Sequence, residues 1–144
     1  AKSLVAALAL GAEGIAMGTR FMATKESLIH QNVKDKMTEA DERSTNLMFR
    51  TMRNTARVFK NTISDQVVEI ESTGTSTFED VKDLVAGQRG RGVFEVGDLE
   101  AGIWSAGISV ARVKDVPTCE ELVSRLVSDA EAIMDGRLKE VRAS

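Results

Sequence analysis

The chain has 144 residues, 19 of them basic and 22 acidic, for a net charge of −3. That length holds one ordinary domain with a real core, and the acidic balance argues against a general nucleic-acid or membrane-surface partner, whose phosphates call for a basic face. A single cysteine, Cys119, excludes an internal disulfide and fits a reducing cytoplasm, and no run approaches the roughly 18 apolar residues of a membrane span.

The opening AKSLVAALALG reads as the interior of a helix, with Leu4, Ala7 and Leu8 on one face and Gly11 as the residue that ends it. Lys2 before an apolar run has the outline of a secretory leader. Glu13 interrupts that run, however, and Gly11 and Gly14 break the helix. With no initiator Met and an opening in mid-element, the expectation is a piece of a longer protein or an expression boundary. GIAMG, residues 14–18, is a short apolar run bounded by glycines and predicts a strand buried on both faces. Helix, glycine turn and buried strand follow one another as in an α/β protein.

From Thr19 to about Ala40 the pattern is helical, with Phe21, Leu28, Ile29, Val33 and Met37 as its apolar stripe. A second helix is expected over Thr45 to Asn61, burying Leu47, Met48, Met52, Ala56 and Phe59 and turning Arg50, Arg53 and Arg57 outward. The run Gln66 to Ile70 is open between strand and helix. After the polar ESTGTST comes a helix FEDVKDLVAG, capped by Ser76 or Thr77, with Ser76 and Glu79 at capping-box spacing and Gly87 closing it. The glycine-dense residues 87–107 predict a loop with short ordered pieces. Last comes a helix from Cys119 to about Asp135, announced by Pro117, capped by Thr118 with Glu121 and ended by Gly136. There is no internal repeat.

AMGTRF carries the clearest chemistry. Gly18 lets a backbone N–H approach an anion closely, Thr19 adds an N–H and a hydroxyl, and a following helix would add its dipole. The same residues also suit a plain strand-to-helix turn. Arg50, Arg53 and Arg57 can read an anionic substrate or nucleotide, or form a solvated face paired to Asp41, Glu42 or Glu69. His30 is the sole imidazole and so the only candidate for acid–base work of that kind, yet no Asp, Ser or Cys motif surrounds it. Cys119 sits at a helix start, where its thiol pKa can fall or where it can be inert. Trp104 can cover a ring-shaped ligand or fill the core. No His, Cys and carboxylate group shows metal-ligand spacing.

LALGAEGIAMGTRFMATKES resembles the end of the barrel in the nitronate monooxygenase (2-nitropropane dioxygenase) family. The resemblance continues through IHQNVK, RSTNLMFRTMRNTARVFKN and GDLEAGIWSAGISVARVKDVPTCEELVSRLVSDAE, in the family's order and over nearly the whole chain. It implies an α/β parent, an FMN-dependent (β/α)8 TIM barrel oxidising alkyl nitronates with O2 to a carbonyl compound and nitrite. This chain would supply residues 1–27 as the barrel's end with its eighth strand. Residues 28–105 would be a mainly helical segment over the flavin, and 106–144 a strand or loop with the closing helix. Ala16, Met17, Gly18 and Thr19 then match the stretch at the FMN phosphate.

The sequence departs from the family where Ala16 replaces a frequent Gln or Asn and where Ile108 replaces a frequent Gln. The family's catalytic histidine and the second glycine pair of its phosphate site lie upstream, and His30 matches neither. The resemblance therefore implies no catalytic residue here, no metal, and a fragment that is inactive and holds FMN weakly by itself. Its partner would be the missing barrel portion. Two other readings stand beside this one. Within the fold, a flavin-dependent enoyl-acyl-carrier-protein reductase is the rival. In a different class, a standalone helical module would bury its exposed apolar surface by self-association or partner binding.

Overall fold

A computed structural model of the chain describes residues 1–142. These form two compact units, residues 1–18 with 117–142, and residues 19–116.

In the first unit, α1 (Lys2–Ala9) ends as the sequence predicts. Gly11 adopts φ +93°, and the N–H groups of Gly11 and Ala12 return to the carbonyls of Leu8 and Ala7, which satisfies the last turn. The expected strand at 14–18 does not form. A parallel strand needs a neighbouring strand for its backbone groups, and among the described residues none pairs with this segment. α7 (Cys119–Ile133) begins with the predicted capping box: Glu121 N–H donates to Thr118 Oγ1 at 3.1 Å, and Thr118 N–H to Glu121 Oε2 at 2.7 Å. Gly136 does not end it. The chain widens into a π turn over Met134–Leu138 and continues as α8 (Lys139–Arg142). α1 packs against α7, and Val5, Pro117, Leu122 and Ala130 are buried in this unit.

The second unit departs further from the periodicity. The long helix expected over 19–40 is broken into α2 (Thr19–Met22) and α3 (Gln31–Glu39). The turn between them is held by Lys34, whose buried amine donates to Ser27 O at 2.7 Å. The helix expected over 45–61 is instead a hairpin. β1 (Thr45–Met48) pairs antiparallel with β2 (Ala56–Phe59), in register Thr45 to Phe59 and Met48 to Ala56. Tertiary pairing overrides the helical spacing here. β2 is paired on its second edge as well, where Val58 bridges Ser105 and Phe59 N–H donates to Trp104 O at 2.9 Å.

The ambiguous run 66–70 lies in α4 (Thr62–Glu71). Asn61 caps that helix and is itself buried. Its Oδ1 accepts Ser64 N–H, and its Nδ2 donates to Leu99 O and Gly102 O at 2.8 Å each. α5 (Phe78–Val81) is a single turn whose cap pairs Thr77 with Asp80 rather than Ser76 with Glu79.

Residues 87–96 form a helix, α6 (Gly87–Val96), where a loop was expected. The glycines are there for contact: a Cβ on Gly90 would meet Ile103 O at 2.8 Å, and one on Gly102 would meet Arg89 C at 2.6 Å. A 3-10 turn follows at Ile108–Arg112. Val33, Met37, Phe59, Val93, Trp104 and Val110 form the heart of the core.

Candidate functional site

Two places in the chain bring together residues with binding chemistry. The first is the expected phosphate stretch. Ala16 and Gly18 are exposed, Met17 and Thr19 are half-buried, and a Cβ at Gly18 would meet nothing within 4 Å. Among the described residues the N–H groups of Met17 and Gly18 donate to no protein acceptor, so both are open to an outside anion. Thr19 Oγ1 accepts Gly107 N–H at 2.9 Å, across 88 residues of sequence. A hydroxyl carries one proton and two lone pairs, so this bond fixes the oxygen and leaves its O–H to donate elsewhere.

Each of these donors, backbone N–H or hydroxyl, is of a kind from which a phosphate oxygen accepts. The expected helix dipole contributes little, since α2 is only four residues long. Gly107 is the partner that sequence reading missed, because a glycine in SAG carries no mark of a long-range bond.

The second place is the hairpin tip, residues 49–54. Phe49 (φ 60°) and Arg53 (φ 55°) both sit in the left-handed region, which costs a non-glycine residue about 1–2 kcal/mol each. The tip is closed by Arg53 N–H to Arg50 O at 3.2 Å and Asn54 N–H to Phe49 O at 3.1 Å. It is pinned from below by the buried Glu71. That carboxylate accepts Phe49 N–H at 2.8 Å, Thr51 Oγ1 at 3.0 Å and Thr51 N–H at 3.3 Å.

The three arginines expected on one helix face are therefore divided. Arg57 lies in β2 and donates to Thr45 Oγ1 at 2.8 Å, while Arg50 and Arg53 stand exposed on the tip. No ion pair joins them to Asp41, Glu42 or Glu69 among the described residues. A cavity of about 460 Å³ adjoins the tip, lined by Leu47, Arg50, Thr51, Val68, Glu71 and Ser72.

The remaining candidates have structural places. His30 caps α3, its Nδ1 accepting Asn32 N–H at 3.1 Å, and its backbone N–H donates to Phe94 O at 2.8 Å. The imidazole lies flush on Gly97, where φ is +78° and a Cβ would collide with the ring. That contact makes His30 a packing residue. Trp104 is buried and stacks on Phe59, centroids 4.3 Å apart and planes 8° from parallel. Among the described residues its buried Nε1–H has no acceptor. Cys119 is half-buried in the first turn of α7. Among the described residues no group of three or more His, Cys, Asp and Glu is placed to hold a metal ion, and no helix is long and apolar enough to cross a membrane.

Comparison with known proteins joins these observations. A sequence profile described as nitronate monooxygenase matches residues 1–129. The chain is 26% identical, over an alignment of 172 positions, to (3aS,4S,5R,7aS)-5-hydroxy-7a-methyl-1-oxo-octahydro-1H-indene-4-carboxyl-CoA dehydrogenase of Rhodococcus jostii (strain RHA1). That alignment covers 90% of this chain and 46% of that protein. FabK from Thermotoga maritima superposes with a TM-score of 0.84 at 25% identity, over 99% of this chain and 43% of FabK. A single-residue mutant of the same FabK gives a TM-score of 0.80 at 25% identity, over 97% and 41% respectively. The chain thus spans less than half the length of these relatives. On the strength of the profile match, the chain belongs to the nitronate monooxygenase family, a family of flavin-dependent oxidoreductases.

Proposed function

We propose that this chain is the C-terminal part of an FMN-dependent oxidoreductase that converts alkyl nitronates, with O2, to a carbonyl compound and nitrite. The observation that carries the reading is the state of the Ala16–Thr19 stretch. Met17 and Gly18 present unused N–H groups, and Thr19 presents a hydroxyl whose oxygen is already fixed by Gly107. A hydroxyl whose oxygen is held in place before a phosphate arrives loses little freedom on binding it. Here Gly18 and Met17 would donate through the backbone, Thr19 through its O–H, and Ala16 would line the approach. Redox chemistry is the cofactor's contribution when bound; the chain's own part is to hold and orient the phosphate end. No residue of this chain is assigned to proton transfer.

Because the chain spans less than half of its relatives' length, the activity proposed is that of the whole protein. The test is FMN retention, O2 consumption and nitrite release by the full-length protein with an alkyl nitronate. Residues 1–144 alone are expected to retain no FMN and release no nitrite. A Thr19→Val variant of the full-length protein is expected to weaken FMN retention about tenfold, the loss of one hydrogen bond to a charged group. A full-length protein that is colourless and inert to nitronates would overturn the reading.

The likeness to FabK over nearly the whole chain favours a second reading within the fold, reduction of an enoyl thioester by NAD(P)H through the same flavin. NADPH oxidation dependent on an enoyl thioester, without nitrite release, would select it. A different-class reading, a helical module that self-associates or binds a partner, rests on the exposed Leu10, Val123 and Val127 of the first unit. It predicts that residues 1–144 alone form a stable oligomer.

A further inference from the structure

We infer that Ser109 is a second hydroxyl donor to the phosphate that Thr19 holds, and that the bare Gly107 leaves the gap between them open. Both points rest on the reading of Thr19 as a phosphate donor. Neither depends on which substrate the flavin oxidises or reduces.

Gly107 has an ordinary φ of −71°, so no backbone strain calls for a glycine there. A Cβ built on it would stand 3.4 Å from Thr19 Oγ1 and 3.5 Å from Ser109 Oγ, and beyond its chain neighbours no other atom comes within 4 Å. Those are ordinary van der Waals distances, so crowding does not exclude a methyl either. The effect of glycine at this position is to keep the space between two hydroxyls clear.

Both hydroxyls have a proton to give. Thr19 Oγ1 already accepts Gly107 N–H at 2.9 Å, which fixes its oxygen and leaves its O–H to donate. Ser109 is exposed, and among the described residues its hydroxyl has no protein partner. A phosphate monoester carries three terminal oxygens, so one group can accept from both hydroxyls and from a backbone N–H besides. α2 and the 3-10 turn, of four and five residues, add little dipole, so the side-chain hydroxyls carry this contact.

The segment that carries Ser109 is held at both ends by two consecutive residues. Thr19 grips Gly107, and Arg20 donates to Asp115 O at 2.9 Å and to Asp115 Oδ1 at 2.5 Å. Between these ends Val110 N–H donates to Gly107 O at 2.9 Å, and the Val110 side chain is fully buried, which fixes the turn with Ser109 outward. Ser109 therefore gives up little beyond the rotation of its own hydroxyl on binding an anion.

The full-length protein, freed of flavin, tests this by titration with FMN and with riboflavin, which differ only in the phosphate. FMN is expected to bind the parent at least about tenfold more tightly than riboflavin. Ser109→Ala is expected to lose about tenfold in affinity for FMN, one hydrogen bond to a charged group, and nothing for riboflavin. Ser109→Thr keeps the hydroxyl and is expected to match the parent. Gly107→Ala fills the gap without straining the backbone, so it is expected to lose about tenfold for FMN while the melting temperature of its flavin-free form stays that of the parent. Equal FMN affinity for the parent and either alanine variant would overturn the inference, as would equal losses for FMN and riboflavin. If Thr19→Val weakens FMN binding and Ser109→Ala does not, Ser109 is no donor and the phosphate reading of Thr19 stands. A parent protein that does not prefer FMN to riboflavin removes both. Nitronate turnover enters none of these readouts.

Discussion

Residues 19–116 bury Trp104, Met37, Met48, Val33, Val58 and Val93 almost completely, whereas residues 1–18 with 117–142 bury Val5, Leu122 and Ala130 and leave Leu10, Val123 and Val127 exposed. The second unit closes its own core through long-range bonds. Asn61 reaches Leu99 and Gly102, Phe59 reaches Trp104, and Thr19 reaches Gly107. The first unit consists of local helices with well-formed ends and little beneath them. A helix cap needs only its own few residues, while a core needs partners distant in sequence. The contrast therefore separates a unit with a closed core from one with few buried apolar side chains.

The contrast predicts its largest effect at Trp104. Trp104→Ala removes the ring stacked on Phe59 and edge-on to Phe94, and is expected to cost about 3–5 kcal/mol in urea denaturation. A cost below about 1 kcal/mol would mean that residues 19–116 do not hold together around this ring. Next comes Glu71→Ala. It strips the hairpin tip of the carboxylate that accepts from Phe49 and Thr51, and is expected to cost about 2–3 kcal/mol. In the first unit a cap is the sequence-local feature to test. Thr118→Ala should cost about 1 kcal/mol, seen as earlier melting of α7 by circular dichroism. If Thr118→Ala proved costlier than Trp104→Ala, the ranking of the two units would be reversed.

The same division explains what could be read from the amino-acid order. α1 with its Gly11 ending and α7 with its Thr118 and Glu121 box were legible, because capping chemistry is local. The hairpin at 45–59 was not. Leu47, Met48, Met52, Ala56 and Phe59 repeat at helical spacing, and β2 is a strand through its pairing with β1 on one edge and with Trp104 and Ser105 on the other. Glycines 90 and 102 read as loop residues but serve the close approach of α6 to the segment after it, a contact that no local pattern records. The split of the expected 19–40 helix is likewise a matter of Lys34 folding back on Ser27. Of the candidate site, the donors of Met17 to Thr19 can be named from the sequence alone, whereas the arginines expected on one helix face are divided between β2 and the hairpin tip. The bond from Thr19 to Gly107 and the anchoring of the hairpin tip by Glu71 were not legible, since both join residues far apart in sequence.

A smaller effect is expected from pH. The Thr77 backbone N–H, followed by its hydroxyl, holds the Asp80 carboxyl below its ordinary value of 3.8, and the Ser44 hydroxyl, then Arg43 N–H, does the same for Asp41. A carboxyl whose pKa is lower in the folded chain than in the unfolded one adds stability that is complete above the unfolded value. That contribution fades as pH falls below 3.8 and through the depressed folded value. Asp80→Asn is therefore expected to lower the melting temperature at neutral pH and to converge on the parent protein in acid. A gap that persists undiminished well below the ordinary carboxyl value would assign the effect to packing.

The smallest expected effect is the most informative about the first unit. Leu10, Val123 and Val127 are respectively 89%, 47% and 46% exposed. Burial in the folded chain is what makes an apolar side chain stabilising, so replacing largely exposed ones by Gln should shift the unfolding free energy of residues 1–144 by no more than about 0.5 kcal/mol each. The same substitutions placed in a protein that carries a barrel upstream should cost about 1.5–3 kcal/mol for each side chain the barrel covers. If these side chains instead close on a second copy of the chain, the substitutions should convert an oligomer into monomers in sedimentation without changing the far-ultraviolet spectrum. The two covers are thus told apart by where the cost appears. Small and equal shifts in the longer protein, together with an unchanged sedimentation coefficient for residues 1–144, would make these side chains ordinary surface. The first unit would then differ from the second only in the size of its core.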